Sequence, residues 1–356
     1  MKYKNDWSDA QKRLTALWHG EMLDRPCLAV RAPHNCQASE LPPVPKSAEA
    51  RWLDPEYLAD AARYQITHTW WGGEAIPSYL LQATWVLCLG GTPVFTPETI
   101  WYEKRKIDFG ETSPFRIKSD DYWVQRYMEA LFALANLAGK NDFLVGSPGT
   151  LPANDLLSMQ MGTENFLLAL LDEPAWMAKA LLDGAKDLIN IRIHLQNSLR
   201  SQHEFWYGNA GWMPFWAPEP YVSSQSDVSC MLSPELFDHF VLPEIDLYGQ
   251  IYGALWYHLD GHDAVQHLPR LLSLPYLRVV QYVPTPSEPP NGIQHLELYK
   301  AIQAAGKIVH IDAPWQQVEP LLLALDPARL FIQTHCDSIE AGEWLLQQSA
   351  DWARHK

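Results

Sequence analysis

Ala254-Leu-Trp-Tyr-His-Leu-Asp-Gly261, Leu277-Arg-Val-Val-Gln-Tyr-Val283, Lys307-Ile-Val-His-Ile-Asp312 and Leu330-Phe-Ile-Gln-Thr-His-Cys336 are four short apolar and aromatic runs. With His258, Gln281, His310 and Cys336 as markers, successive spacings are 23, 29 and 26 residues. Between the runs, Ala264–Leu274, His295–Ala305 and Trp315–Ala324 have helical character. Strands alternating with helices at this pitch predict βα units and a parallel sheet. Upstream, Arg25–Arg31, Asp142–Gly146 and His203–Gly208 are further strand candidates. Helices are predicted at Tyr122–Ala138, Asn165–Leu171, Pro174–Leu199 and Pro234–Tyr252. The last has Ser233 as N-cap, Pro234 at the first helical position and Glu235 in the first turn. Trp52–Ile66 is a further helix, with Asp54 as N-cap and Pro55 at N1. Ala38–Lys46 is the best candidate for a long loop. Seven strand candidates in 356 residues predict one α/β domain over residues 1–356, a single (β/α)8 TIM barrel with one strand missed. Residues 1–50 would supply an N-terminal helix, the first strand and a loop. A doubly wound sheet is the alternative, but no Gly-rich dinucleotide fingerprint follows the first strand.

Composition narrows the function. Lys plus Arg number 27 and Asp plus Glu 42, a formal charge of −15, and no basic block offsets it. That argues against nucleic acid as a partner. Apolar residues make up 47%, too many for a disordered chain. No run reaches the roughly 18 apolar residues of a membrane span, and the polar start lacks the apolar core of a signal peptide. Five scattered cysteines, Cys27, Cys36, Cys88, Cys230 and Cys336, fit a reducing cytoplasm better than a disulfide framework. The 16 Trp against 11 Phe leave aromatics over to wall a pocket for a small molecule.

Barrel enzymes place their sites at the C-terminal strand ends. There the chain carries His258 with Asp260, Gln281 with Tyr282, His310 with Asp312, and His335-Cys336-Asp337. His258 and Asp260, two apart on a strand, share a face and can hold a metal together. Cys336 as third ligand would leave the open position of a catalytic zinc. Asp337 with Glu340 resembles a capping box, and a helix N-terminus lowers a thiol pKa. The plainer reading pairs His258 with Asp260 and makes Cys336 a buried small hydrophobe. His310 and Asp312 form either a second acid/base pair or a pair that satisfies the strand end. His335 points the other way and is structural. Glu74, beside Gly72 and Gly73, is either a carboxylate facing the mouth or a solvated loop residue. Asp227 reaches the mouth or caps its loop. Gly146–Leu151 offers backbone amides or a plain turn. Gln225 and Trp212–Trp216 suggest an aromatic wall, though aromatics are also ordinary core. P-loop, GxSxG, HExxH and CxxC motifs are absent.

These residues carry a resemblance. Asp227–Glu244, in which Leu232–Pro243 is the most specific segment, Tyr257–Gly261, Val280–Pro284 and Thr334–Leu345 resemble the uroporphyrinogen decarboxylase superfamily. Gly146–Leu151 and the helix from Thr163 through the Asp172-Glu-Pro turn fit the same layout. The resemblance implies a (β/α)8 barrel with its site at the mouth, often in a homodimer. One branch decarboxylates uroporphyrinogen without a cofactor and grips its carboxylates with an Arg-Gln-Ala-Gly-Arg-Tyr loop. Here Arg31-Ala-Pro-His-Asn-Cys36 keeps only Arg31. The other branch resembles methylcobalamin:coenzyme M methyltransferases, with a His-x-Cys and later Cys zinc site. By position His258 matches the His and Cys336 the second Cys, while Asp260 replaces the first. That implies zinc on His258, Asp260 and Cys336, and methyl transfer between a corrinoid or methylated small molecule and a thiol-type acceptor. A partner protein would carry the corrinoid. Asp260, Glu74, His310 and Asp227 are the expected catalytic residues; Trp71, Trp212, Trp216, Gln225, Gln281 and Tyr282 are expected to bind substrate. A cofactor-free decarboxylase or lyase using Asp260, Glu74 and His310, or a non-catalytic binder, are the alternatives.

Overall fold

The computed structural model describes residues 1–35, 40–146, 151–199 and 213–354. Its strands are β1 (Cys27–Pro33), β2 (Thr69–Gly73), β3 (Ser78–Tyr79), β4 (Pro93–Phe95), β5 (Ile100–Tyr102), β6 (Leu144–Val145), β7 (Val222–Ser224), β8 (Leu255–Asp260), β9 (Leu277–Val283), β10 (Ile308–Asp312) and β11 (Leu330–His335). Seven form one sheet in the order β2-β1-β11-β10-β9-β8-β7. All its pairings are parallel except β2 against β1. A second parallel pair joins β3 to β6, and β4 with β5 makes an antiparallel hairpin. The chain is thus mixed α/β with a mostly parallel central sheet, and its first strand lies beside its last.

The four C-terminal runs became β8 to β11, adjacent and in chain order, with helical segments between them. They are apolar enough to be buried on both faces, as a helix-covered parallel sheet requires. The expected strand at Arg25–Arg31 is β1, and the one at Asp142–Gly146 is the two-residue β6. The expected strand at His203–Gly208 lies outside the described residues. Asp54 caps the helix Pro55–Thr67 as expected, its Oδ1 accepting from Tyr57 N at 2.8 Å. The predicted helix Pro234–Tyr252 is two helices, Pro234–Phe240 and Leu242–Tyr252. Pro243 lies in the first turn of the second, where its missing N–H breaks no hydrogen bond. Ser233 caps the first, its Oγ accepting from Leu236 N. The last helix, Ile339–Arg354, is capped by Ser338, whose Oγ accepts from Ala341 N at 3.2 Å, not by the expected Asp337 and Glu340 box. Among the described residues no helix is long and apolar enough to cross a membrane.

One glycine decides where Glu74 goes. Gly73 has φ of 61°, and a Cβ there would sit 2.2 Å from the Leu28 carbonyl oxygen. Only glycine accepts both the left-handed backbone and that approach. The chain ends β2 hard against the start of β1, so Glu74 faces Leu28.

Candidate functional site

The site forms where β7 and β8 end. His258 and Asp260, two apart on β8, share a face; Asp227 opens the short 3₁₀ turn Asp227–Met231 just after β7. One ligand atom from each of Asp227, His258 and Asp260 lies within 4.8 Å of the others. His258 Nε2 is 3.9 Å from Asp260 Oδ1. The other ring nitrogen, Nδ1, bonds Gln281 Oε1, which the β8–β9 register places alongside. An amide oxygen only accepts, so Nδ1 carries the proton and Nε2 turns its lone pair toward the carboxylates. Burial pushes the His258 pKa down and keeps the ring neutral. A neutral imidazole with its far nitrogen tied is the state that binds a cation.

A fourth polar group stands behind these three. Asp155 lies in the first turn of the helix Ala153–Met161 and is 5% exposed. Its Oδ2 accepts from Asp227 N at 3.0 Å and its Oδ1 from Val228 N at 3.0 Å. Gln225 Nε2 bridges the two carboxylates, donating to Asp227 Oδ1 at 2.9 Å and Asp155 Oδ2 at 3.4 Å. Burial, then the Asp227 charge, pushes the Asp155 carboxyl up to about 8. Asp227 is open to the cavity, yet walls crowd the water from its carboxylate. That desolvation, then the charge of Asp260, pushes it up to about 7.

Asp155 is delivered by a buried brace. Glu244 accepts from Ala153 N at 3.0 Å with each carboxylate oxygen, from Tyr248 Oη at 2.7 Å and from Asn154 Nδ2 at 3.4 Å. Asn154 Oδ1 in turn accepts from Ser226 Oγ at 2.8 Å. The start of Ala153–Met161 is thereby pinned to Leu242–Tyr252 and to the turn that carries Asp227.

A cavity of about 640 Å³ opens over this floor, within the range of small-molecule sites. Leu80, Leu81, Trp85, Trp101, Leu151, Met159 and Met231 line its walls together with the polar Gln82, Thr84, Thr99, Ser158 and Thr163; Asp155, Gln225, Asp227 and His258 form its floor. Its lining contains no Lys or Arg among the described residues.

Several expected site residues lie elsewhere. Glu74 is fully buried at the N-terminal end of β1, away from the strand ends that carry Asp260. Its carboxylate accepts from Arg25 at 2.7 and 2.8 Å and from Leu28 N at 2.9 Å, with Arg13 3.5 Å away. It ties β1 to the turn after β2 and is not part of the lining of the cavity beside Asp227 and His258. His310 is fully buried among Phe215, Trp256 and Phe331. Its Nδ1 accepts from Trp256 Nε1 at 3.0 Å, and burial pushes its pKa down to about 3. A sealed neutral ring does not exchange protons with a substrate. Asp312, the expected partner of His310, is 3.9 Å from Arg31 instead.

Cys336 stands outside the ligand cluster, and Asp227 takes the third place. The thiol follows β11, three strand spacings from β8, or roughly 14 Å at about 4.8 Å each. Burial, with the Asp337 charge, pushes its pKa up rather than down. Gln281 is fully buried and holds His258 rather than lining the cavity. Tyr282, on the opposite face of β9, donates to Glu288 Oε1 at 2.7 Å. Trp71 is buried, its Nε1 donating to Ile66 O, and Trp216 packs edge-on against Trp7 at 6.0 Å. Trp212 lies outside the described residues, as does most of Gly146–Leu151. The indoles at the cavity are Trp85 and Trp101. Sequence reasoning passed over these two and Asp155. The signal for Asp155 was a carboxylate in the first turn of a helix that follows a Gly/Pro turn.

No protein-family model matches the chain, and no curated protein matches it.

Proposed function

We propose that the chain is a metal-dependent methyl-transfer enzyme on a single (β/α)8 barrel of the uroporphyrinogen decarboxylase type. The observation that carries this reading is the convergence of Asp227, His258 and Asp260 at adjacent strand ends beside an apolar cavity, with His258 Nδ1 tied back to Gln281. The pairing of first strand with last supports the barrel. One imidazole and two carboxylates suit a divalent ion of borderline or hard character. Zinc is the ion the resemblance implies; Asp227, His258 and Asp260 would hold it, without a thiolate. Bound there, it supplies Lewis acidity that favours the thiolate form of a thiol at neutral pH.

The chain's own residues do the rest. Gln281 fixes the His258 tautomer. Gln225 holds the Asp155 and Asp227 carboxylates in fixed relation. The Asp155 carboxyl, pushed up to about 8, holds a proton near neutral pH and is the floor group suited to exchange it with a substrate. Leu80, Leu81, Trp85 and Met159 exclude water from the reacting groups. The cavity volume suits a methylated small molecule, and a corrinoid, if used, stays on its partner protein at the mouth.

The cofactor-free alternative has one observation in its favour, the raised Asp155 and Asp227 pair. Decarboxylation of an octa-acid does not suit a lining with two carboxylates and, among the described residues, no Lys or Arg. The test is a turnover assay on zinc-loaded protein with methylcobalamin or a methylated substrate and a small thiol. Thioether formation that stops on chelation and in His258→Ala supports methyl transfer. Activity indifferent to chelator, or no thioether under any pairing, refutes it.

A further inference from the structure

Asp227, His258 and Asp260 are not held in the same way. Asp227 Oδ1 accepts from Gln225 Nε2 at 2.9 Å, and His258 is tied through Nδ1 to Gln281. The Asp260 carboxylate has no hydrogen bond among the described residues; its Oδ1 lies 3.9 Å from His258 Nε2. Its backbone stands at the N-cap position of the short helix Gly261–Ala264. An Asp there ordinarily folds its carboxylate back onto the N–H of the second or third helical residue. Such a bond would engage the carboxylate that the cluster needs, and it is not made.

Another carboxylate has taken that place. Glu288, in the loop after β9, accepts from His262 N, the second helical residue, with Oε2 at 3.2 Å. Its remaining bonds hold it there: Oε2 also accepts from Thr285 N at 2.8 Å and Thr285 Oγ1 at 2.9 Å, and Oε1 from Tyr282 Oη at 2.7 Å. Gly261, with φ of 74°, permits the approach of the two loops, since a Cβ there would lie 2.4 Å from Thr285 Cγ2.

We propose that Glu288 is a positioning residue of the candidate metal site: by capping Gly261–Ala264 from the neighbouring loop, it releases the Asp260 carboxylate to the cluster with Asp227 and His258. The inference rests on the metal reading of that cluster and adds to it a residue outside the ligand set. Without Glu288 the His262 N–H loses its acceptor, and Asp260, the N-cap residue itself, is placed to replace it. Zinc then has to break that cap before Asp260 can bind it.

The experiment has two readouts on the full chain: zinc affinity by competition with a chromophoric chelator, and hydrogen exchange of the His262 amide in the metal-free protein. Zinc affinity should fall about fivefold in Glu288→Ala, the strength of an N-cap bond. It should stay within about twofold of wild type in Glu288→Gln, whose amide oxygen still accepts from His262 N. In the metal-free protein the His262 amide should stay protected in Glu288→Ala, capped by Asp260, and in Asp260→Ala, capped by Glu288. Protection should be lost only when both are replaced. Wild-type zinc affinity in Glu288→Ala, or protection lost in either single variant, would overturn the proposal. If the wild type takes up no zinc, the metal reading falls; the exchange pattern then decides by itself whether Glu288 releases Asp260 from the cap.

Discussion

Gln281→Leu separates a tied metal ligand from a histidine that merely sits near two carboxylates. In the wild type Gln281 Oε1 accepts the hydrogen bond of the His258 Nδ1–H, in a position with no exposure to water. Leucine has nearly the same volume, so the core loses little packing. The Gln281 Nε2 atom has no partner among the described residues, so its removal sacrifices no hydrogen bond. What remains is a buried Nδ1–H without its acceptor, a cost of about 1–3 kcal/mol. The ring can escape that cost by rotating, which turns Nε2 away from Asp227 and Asp260, or by changing tautomer, which puts the proton on Nε2 and removes its lone pair. Loss of such a supporting partner typically lowers metal affinity about 10–100-fold. The assay is competition for zinc against a chromophoric chelator, with circular dichroism confirming the fold. Gln281→Glu, which keeps the acceptor, should restore affinity to within severalfold of wild type. A Gln281→Leu protein with wild-type zinc affinity would refute the positioning role, and with it the assigned tautomer of His258.

Three further outcomes follow from the same geometry. Glu74→Ala leaves the Arg25 guanidinium without its bidentate partner and should cost about 3–5 kcal/mol in urea unfolding, with zinc affinity of the folded protein unchanged. Burial raises the Glu244 carboxyl to about 7, above its ordinary value of 4.5. Its contribution is therefore fully present below pH 4.5 and lost as pH rises through about 7. Wild-type stability should fall across that window by on the order of 2–3 kcal/mol more than that of Glu244→Gln. His310→Gln should leave zinc binding unchanged while lowering stability by about 1–3 kcal/mol, because the Trp256 indole loses a well-placed acceptor; a loss of zinc affinity there would return His310 to the site.

The fold was legible where strands are long and apolar. β8 to β11 announce themselves through β-branched and aromatic runs at regular pitch. β7 is only Val222, Ser223 and Ser224, and shows no apolar alternation to read. Thr69–Gly73 is a strand, but nothing local says that it runs antiparallel to β1, and that direction sends Glu74 to the far end of the sheet. The site was half legible for a related reason. His258 and Asp260 share a face because strand geometry makes residues two apart do so. The third member of the Asp227, His258 and Asp260 cluster depends on which strand lies beside β8, and the turn after β7 supplies Asp227 where Cys336 is three strands away. Asp155 depends on a contact still further from local sequence, Glu244 reaching Ala153 N across 91 positions.

The most direct test of the central claim is zinc titration of the wild type beside Asp227→Asn, His258→Ala and Cys336→Ser. One ion per chain in the wild type and in Cys336→Ser, with affinity reduced at least tenfold in the other two, is the predicted result. No stoichiometric binding by the wild type, or binding lost in Cys336→Ser and kept in Asp227→Asn, would contradict it.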